Sequence, residues 1–219
     1  MHTCIATVLL LILAAPFAFT QSVKLPPDVD PESLSRMSVV KRDRLDENGK
    51  RIYDALKGRN EAPPATGPVG VTLHSPAAAQ PINMLNQALR QTVVGAHYFE
   101  MAALIGAREF DQQYEWSGHE PAALRAGVDQ AVIDSIKFNR DVKGFSDKDA
   151  TVILMGRQLF RGNHQLNSEL WSKAVQLFGE QGALELTIIM GDYAMAAVFL
   201  NAVNQQLPPD RKALLPVTK

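Results

Sequence analysis

From Pro81 to Pro208 apolar residues recur at three- and four-residue spacing with almost no interruption, a period that helices satisfy and strands do not. Ile82, Leu85, Ala88, Leu89 and Val93 form the first stripe, and HYFEMAALIGAREF makes a second helix, rich in Ala, Leu and Met, that ends near Asp111. A third starts at about Asp111 or at Ser117 and runs to Ala126, where Gly127 supplies a natural stop. Asp129 caps a helix through Ile136, and Ser146 or Asp147 caps the next over DATVILMGRQLF. Asn167 or Ser168 opens SELWSKAVQLFG, which ends at Gly179. The most apolar stretch, GALELTIIMGDYAMAAVFLNAV, then runs toward Pro208, and its composition marks it as the central helix. No strand-period alternation of useful length breaks the series, so the expected fold is all-α, a bundle of six to seven helices. At 219 residues the chain is long enough for one domain with a sizeable core.

Upstream of Pro81 the pattern is looser. DENGKRIYDALKGR, from Asp46, reads as a short amphipathic helix with Ile52, Tyr53 and Leu56 on one side. NEAPPATGPVGVTLHSP carries four prolines and is expected to be irregular and to line a pocket entrance. Residues 21–42 read as an extended arm. Residues 1–20 form an apolar run without charge, and its Cys4–Phe19 core is shorter than the roughly 20 apolar residues that span a bilayer. The run therefore reads as a signal peptide, with a retained N-terminal anchor as the alternative, which implies a periplasmic or secreted protein with 43–219 as the folded domain. Cys4, the single cysteine, lies in the leader, so the exported chain has no thiol and no disulfide. With 22 basic residues against 23 acidic, the charge pattern gives no footprint for nucleic acid or an anionic membrane surface. No stable membrane partner is expected once the leader is removed.

YEWSGH, Tyr114–His119, sets Glu115 and His119 four residues apart, one turn on a helix face. A neighbouring carboxylate orients an imidazole and favours its protonated form, which suits acid/base work near neutral pH. Spacing alone also fits a solvated surface pair. Glu100 sits in apolar surroundings and needs a partner, with His119 or Arg108 as candidates and His97 as a local alternative. Pro121 leaves two options open: a helix kinked there that carries both residues, or one starting at Ser117 with Glu115 in the preceding loop. Trp116 fits either the core or a substrate platform. Asp192 either caps a break at Gly191 or faces a pocket. No metal-ligand spacing, phosphate loop or nucleophile elbow is present, so neither a metal nor a cofactor is expected.

The run AALIGAREFDQQYEWSGHEPAALRAGV, then FSDKDA, then LWSKAVQLFGEQGALELTIIMGDYAMAAVFLNAV, resembles the carboxymuconolactone decarboxylase-like family, which shares the alkylhydroperoxidase D-like fold. The likeness covers about Asp46 to Pro208. The peroxidase branch of that fold carries a pattern similar to E-x11-C-x2-C-x3-H, and this chain reads Glu100-x11-Gln112-x2-Glu115-x3-His119. The glutamate and histidine stand in register, while Gln112 and Glu115 replace the two thiols that peroxide chemistry needs. The resemblance implies a cofactor-free lyase or isomerase acting on a small organic acid or lactone. In it His119 is the acid/base, Glu115 or Glu100 its orienter and proton relay, Arg108 an anion binder, and Trp116, Gln112 and Tyr114 neighbours of the substrate. It also implies a homo-oligomer: dimer, trimer or hexamer. The other readings are a thiol peroxidase, opposed by the missing cysteines, and a non-catalytic small-molecule-binding protein.

Overall fold

A computed structural model describes residues 25–57 and 61–216, and the leader expected at 1–20 lies outside them. Asp46 accepts the Gly49 amide and starts α1 (Glu47–Leu56). The proline-rich stretch that follows is not wholly irregular. It holds a short helix, α2 (Gly67–Thr72), because Pro68 occupies the first turn, where its missing N–H breaks no helical bond.

The next helix, α3 (Pro76–Leu89), starts five residues before Pro81 and runs through it. Pro81 falls so early in α3 that only the carbonyl of Ala77, in the first turn, loses its donor. Then come α4 (Gly95–Glu109), α5 (Gln113–Arg125), α6 (Gln130–Phe138), α7 (Asp147–Phe160) and α8 (Ser168–Ala202). Ser146 caps α7 through the Asp149 amide, and Asn167 caps α8 through that of Leu170. Gly179, at φ 71° and ψ 168°, breaks α8 into the two segments expected from sequence. The described residues thus hold eight α-helices, one short 3-10 turn (Arg42–Arg44) and no strand, an all-α fold, and the α-helix absent from the expectation is α2.

The central helix is α4, not the more apolar α8. All nine residues from Phe99 to Ala107 are buried, and α4 packs against α5, α6, α7 and α8. By contrast, α8 leaves Leu184, Ile188, Met195 and Val198 exposed. A glycine sets the α4–α8 spacing. A Cβ on Gly106 would stand 2.7 Å from the Met190 carbonyl oxygen and 2.9 Å from the Tyr193 Cβ, closer than packing allows.

Residues 25–41 contain no helix, yet they are fastened to the end of α8. The Arg36 amide donates to the Val203 carbonyl at 2.8 Å, and the Gln206 amide to that of Leu34 at 2.7 Å. The buried Gln205 side chain donates to the Ser33 and Leu34 carbonyls and accepts the Gly67 amide at the start of α2. One glutamine therefore joins the N-terminal segment, α2 and the chain leaving α8.

Because the atoms facing Gly106 are backbone atoms of Met190 and Ala194 and the Cβ of Tyr193, none of which can swing aside, Gly106→Ala must push α4 and α8 apart. Urea unfolding should show a loss of about 1–3 kcal/mol.

Candidate functional site

Glu100 lies on the buried face of α4, a position a lone carboxylate does not tolerate. Its partner is His119 of α5, whose Nδ1 stands 2.6 Å from Glu100 Oε2. With Glu100 accepting, Nδ1 carries the proton and Nε2 is left as the acceptor. The alternative partner, His97, is engaged elsewhere, with Asp149 at 3.2 Å.

Gln112 caps α5 by accepting the Tyr114 amide, so the helix starts early enough to include Glu115 and continues through Pro121. Glu115 and His119 therefore do share one face. Glu115 Oε2 lies 3.6 Å from His119 Nε2, an electrostatic contact longer than a hydrogen bond. The other oxygen, Oε1, is buried and has no hydrogen-bond partner. Burial pushes the Glu115 carboxyl above the usual carboxylate range; His119, Arg211 and Arg90 oppose the shift and Asp192 adds to it. The Tyr193 ring meets the imidazole edge-on at 4.6 Å and fixes its plane.

Glu115 and His119 open onto a cavity of about 260 Å³ between α2, α3, α5 and α8. Pro68, Val69 and Thr72 form part of its wall, so the proline-rich segment does border the pocket. Ile82, Ala196 and Phe199 supply apolar surface. Asn86 donates to Asp192 at 2.9 Å, and Arg90 reaches the Tyr193 hydroxyl at 3.2 Å while lying over the Phe99 ring. Burial also raises the Asp192 carboxyl, against the Asn86 hydrogen bond and the Arg90 charge. Arg211 closes the lining from the chain beyond α8.

The structure thus brings together Glu100, Glu115 and His119, with Tyr114 also on the cavity wall and its hydroxyl 3.1 Å from Thr66. The other three candidates lie elsewhere. Arg108, two turns beyond Glu100 on α4, points at α6, donating to the Lys137 carbonyl at 2.8 Å and pairing with Asp111, so it cannot be the anion binder of this cavity. Trp116 is wholly buried on the opposite side of α5, where it donates to Glu120. Gln112 donates to Asn201 at 2.7 Å, tying α5 to α8. Of the residues missed from sequence, Asn86 and Arg90 had only their i,i+4 spacing as a signal, and Arg211 had none. No group of three His, Cys, Asp or Glu side chains among the described residues is arranged to hold a metal ion.

No family model matches the sequence, and no curated protein sequence matches it. Solved structures do. One is an alkylhydroperoxidase AhpD core, an uncharacterized peroxidase-related protein from Ralstonia eutropha JMP134, at TM-score 0.63 and 13% identity over 80% of this chain and 93% of that one. The fold is that of alkylhydroperoxidase D. The same AhpD-like fold is seen in the debrominase Bmp8, at TM-score 0.57 and 12% identity. A cysteine-to-alanine variant of Bmp8 in complex with 2,3,4-tribromopyrrole is covered over 78% of this chain and 90% of that one, and the apo form over 78% and 91%.

Within this AhpD-like fold the raised Glu115 carboxyl has a thermodynamic signature. The folded state keeps a proton that the unfolded chain releases in its ordinary carboxylate range. Glu115 therefore lends stability at low pH, and that stability is lost as pH rises through the folded value. Thermal unfolding compared across about pH 5 to 8 should show the wild type falling behind Glu115→Gln as pH increases.

Proposed function

We propose that the chain is a His/Glu acid–base enzyme, a lyase or isomerase, acting on a small lactone or unsaturated organic acid. The observation that supports this reading most is His119 held between two unlike carboxyls at a cavity wall. Glu100 takes up Nδ1 at 2.6 Å, while Glu115, with its free buried oxygen, faces Nε2 at 3.6 Å. Glu100 orients the ring and leaves Nε2 facing the cavity as the base. Glu115, which burial favours in its protonated form, is the acid.

In an isomerisation, His119 Nε2 removes a proton from the carbon next to the lactone carbonyl. The C–H electron pair moves into the carbonyl as an enolate, and the Arg90 guanidinium neutralises the charge that develops. Glu115 then protonates the far carbon of the conjugated system, and His119 returns its proton to Glu115. In a decarboxylation the bond to the carboxylate breaks instead. Its electron pair enters the same carbonyl, carbon dioxide leaves, and Glu115 protonates the carbon. The lactone is the electron sink in both.

The ligand seen in Bmp8 supports a flat five-membered ring as a guest for this fold. Thiol peroxide chemistry has no support: residues 25–216 contain no cysteine, and Gln112, at one position in register with a thiol, is a helix cap bonded to Asn201.

On a panel of unsaturated lactone acids, His119→Gln should lower turnover by about 10²–10⁴-fold with unchanged far-ultraviolet circular dichroism. Equal turnover by wild type and variant would reject the acid/base assignment. Ligand-induced thermal shift without product formation would favour a binding protein. Peroxide consumption with a dithiol reductant should be absent.

A further inference from the structure

The chain beyond α8 returns to α5, contributes Arg211 to the cavity wall and is pinned at both ends. At one end the buried Gln205 ties it to the N-terminal segment and to Gly67. At the other, Gln113 at the first turn of α5 holds two successive residues. Its Oε1 accepts the amides of Leu214 at 3.0 Å and Leu215 at 2.8 Å, and its Nε2 donates to the Leu215 carbonyl at 2.8 Å. Leu215 is buried in the main core. Between these anchors the strap presents Arg211.

The Arg211 guanidinium stacks 4.6 Å from the centre of the Tyr114 ring. Its only protein hydrogen bond among the described residues is a long one, from Nη1 to the Tyr114 carbonyl at 3.4 Å, and it has no carboxylate partner there. Arg211 is exposed, so most of its five donors face solvent rather than protein acceptors and are open to a ligand. The other cation of the cavity, Arg90, is more committed, to Asn86, the Tyr193 hydroxyl and the Phe99 face. Gly118, one residue before His119, lies beside Arg211: a Cβ there would meet the guanidinium Nη1 at 3.7 Å, an ordinary contact. A cation with idle donors, set by a pinned strap beside an acid/base histidine, suits a planar acid group.

We infer that Arg211 is the carboxylate-binding and specificity-determining residue of this cavity, with Gln113 as its positioning residue, so that the site selects small organic anions over neutral molecules of the same shape. The inference rests on the reading of the cavity as the substrate site, but it concerns binding and needs no turnover. The fork of the guanidinium takes both carboxylate oxygens and turns the ring of the ligand toward His119. Gln113 acts only through the strap.

Isothermal titration of the full chain with 2-furoate and with furfuryl alcohol tests it. Wild type should prefer furoate. Arg211→Gln should weaken furoate by about tenfold or more and leave the alcohol unchanged, and Arg211→Lys should recover part of the loss. Gln113→Ala should lower the furoate-to-alcohol preference, which a general loosening of the fold would not do. Furoate binding equal in wild type and Arg211→Gln, or no preference for furoate in wild type, would overturn the inference. A chain that binds furoate through Arg211 yet turns over no lactone acid keeps this inference and loses the enzymatic one; lactone turnover indifferent to Arg211 does the reverse.

Discussion

The structure depends on how closely its helices approach α4. Two glycines set this distance: Gly106 of α4 lies against the backbone of α8, and Gly156 of α7 against the side chain of Ile105. With neighbours this close, nine successive residues of α4 lose contact with solvent, and Glu100 is one of them. A carboxylate there is tolerated only with a dedicated partner, and His119 is the one that reaches it. The same approach puts Tyr193 of α8 against the imidazole edge. Tight packing and a fixed histidine are thus two results of one constraint.

Helix α5 carries two buried glutamates with opposite fates. Glu120 turns inward, where Lys137 Nζ sits 2.8 Å away and the Trp116 indole also donates to it, so its charge is answered on the spot. Glu115 turns to the cavity, where its nearest titratable neighbour, His119, is 3.6 Å off and one oxygen has nothing to bond. Burial is nearly equal for the two residues, and satisfaction is not. The unsatisfied one is the group whose proton can be exchanged with a ligand at little structural cost.

Local signals in the sequence carried the helices well, since spacing and caps act within a few residues. They also held the register of Glu100, Glu115 and His119, because two adjacent helices joined by a short turn keep their relative phase. Three features escaped for physical reasons. Pro81 looked like the start of the helical pattern and Pro121 left the start of α5 open, but each removes a single donor, and the helices around them are held by packing. The apolar richness of the last helix suggested a central place, yet part of it is spread over an exposed face. The cations of the cavity come from α3 and from the strap, far from His119 in sequence, so no spacing could point to Arg90 or Arg211 in place of Arg108.

Two neighbouring positions of α5 do different work. Gln112 is structural, capping α5 and binding Asn201 of α8, so that the start of the helix is fixed. Glu115, one turn further on, faces the cavity instead. The Glu100–His119 pair bridges α4 and α5, two helices packed closely together, and needs no third side chain to hold its geometry. A second carboxyl beside it, raised by burial, therefore gives one imidazole two carboxyl neighbours in unlike environments.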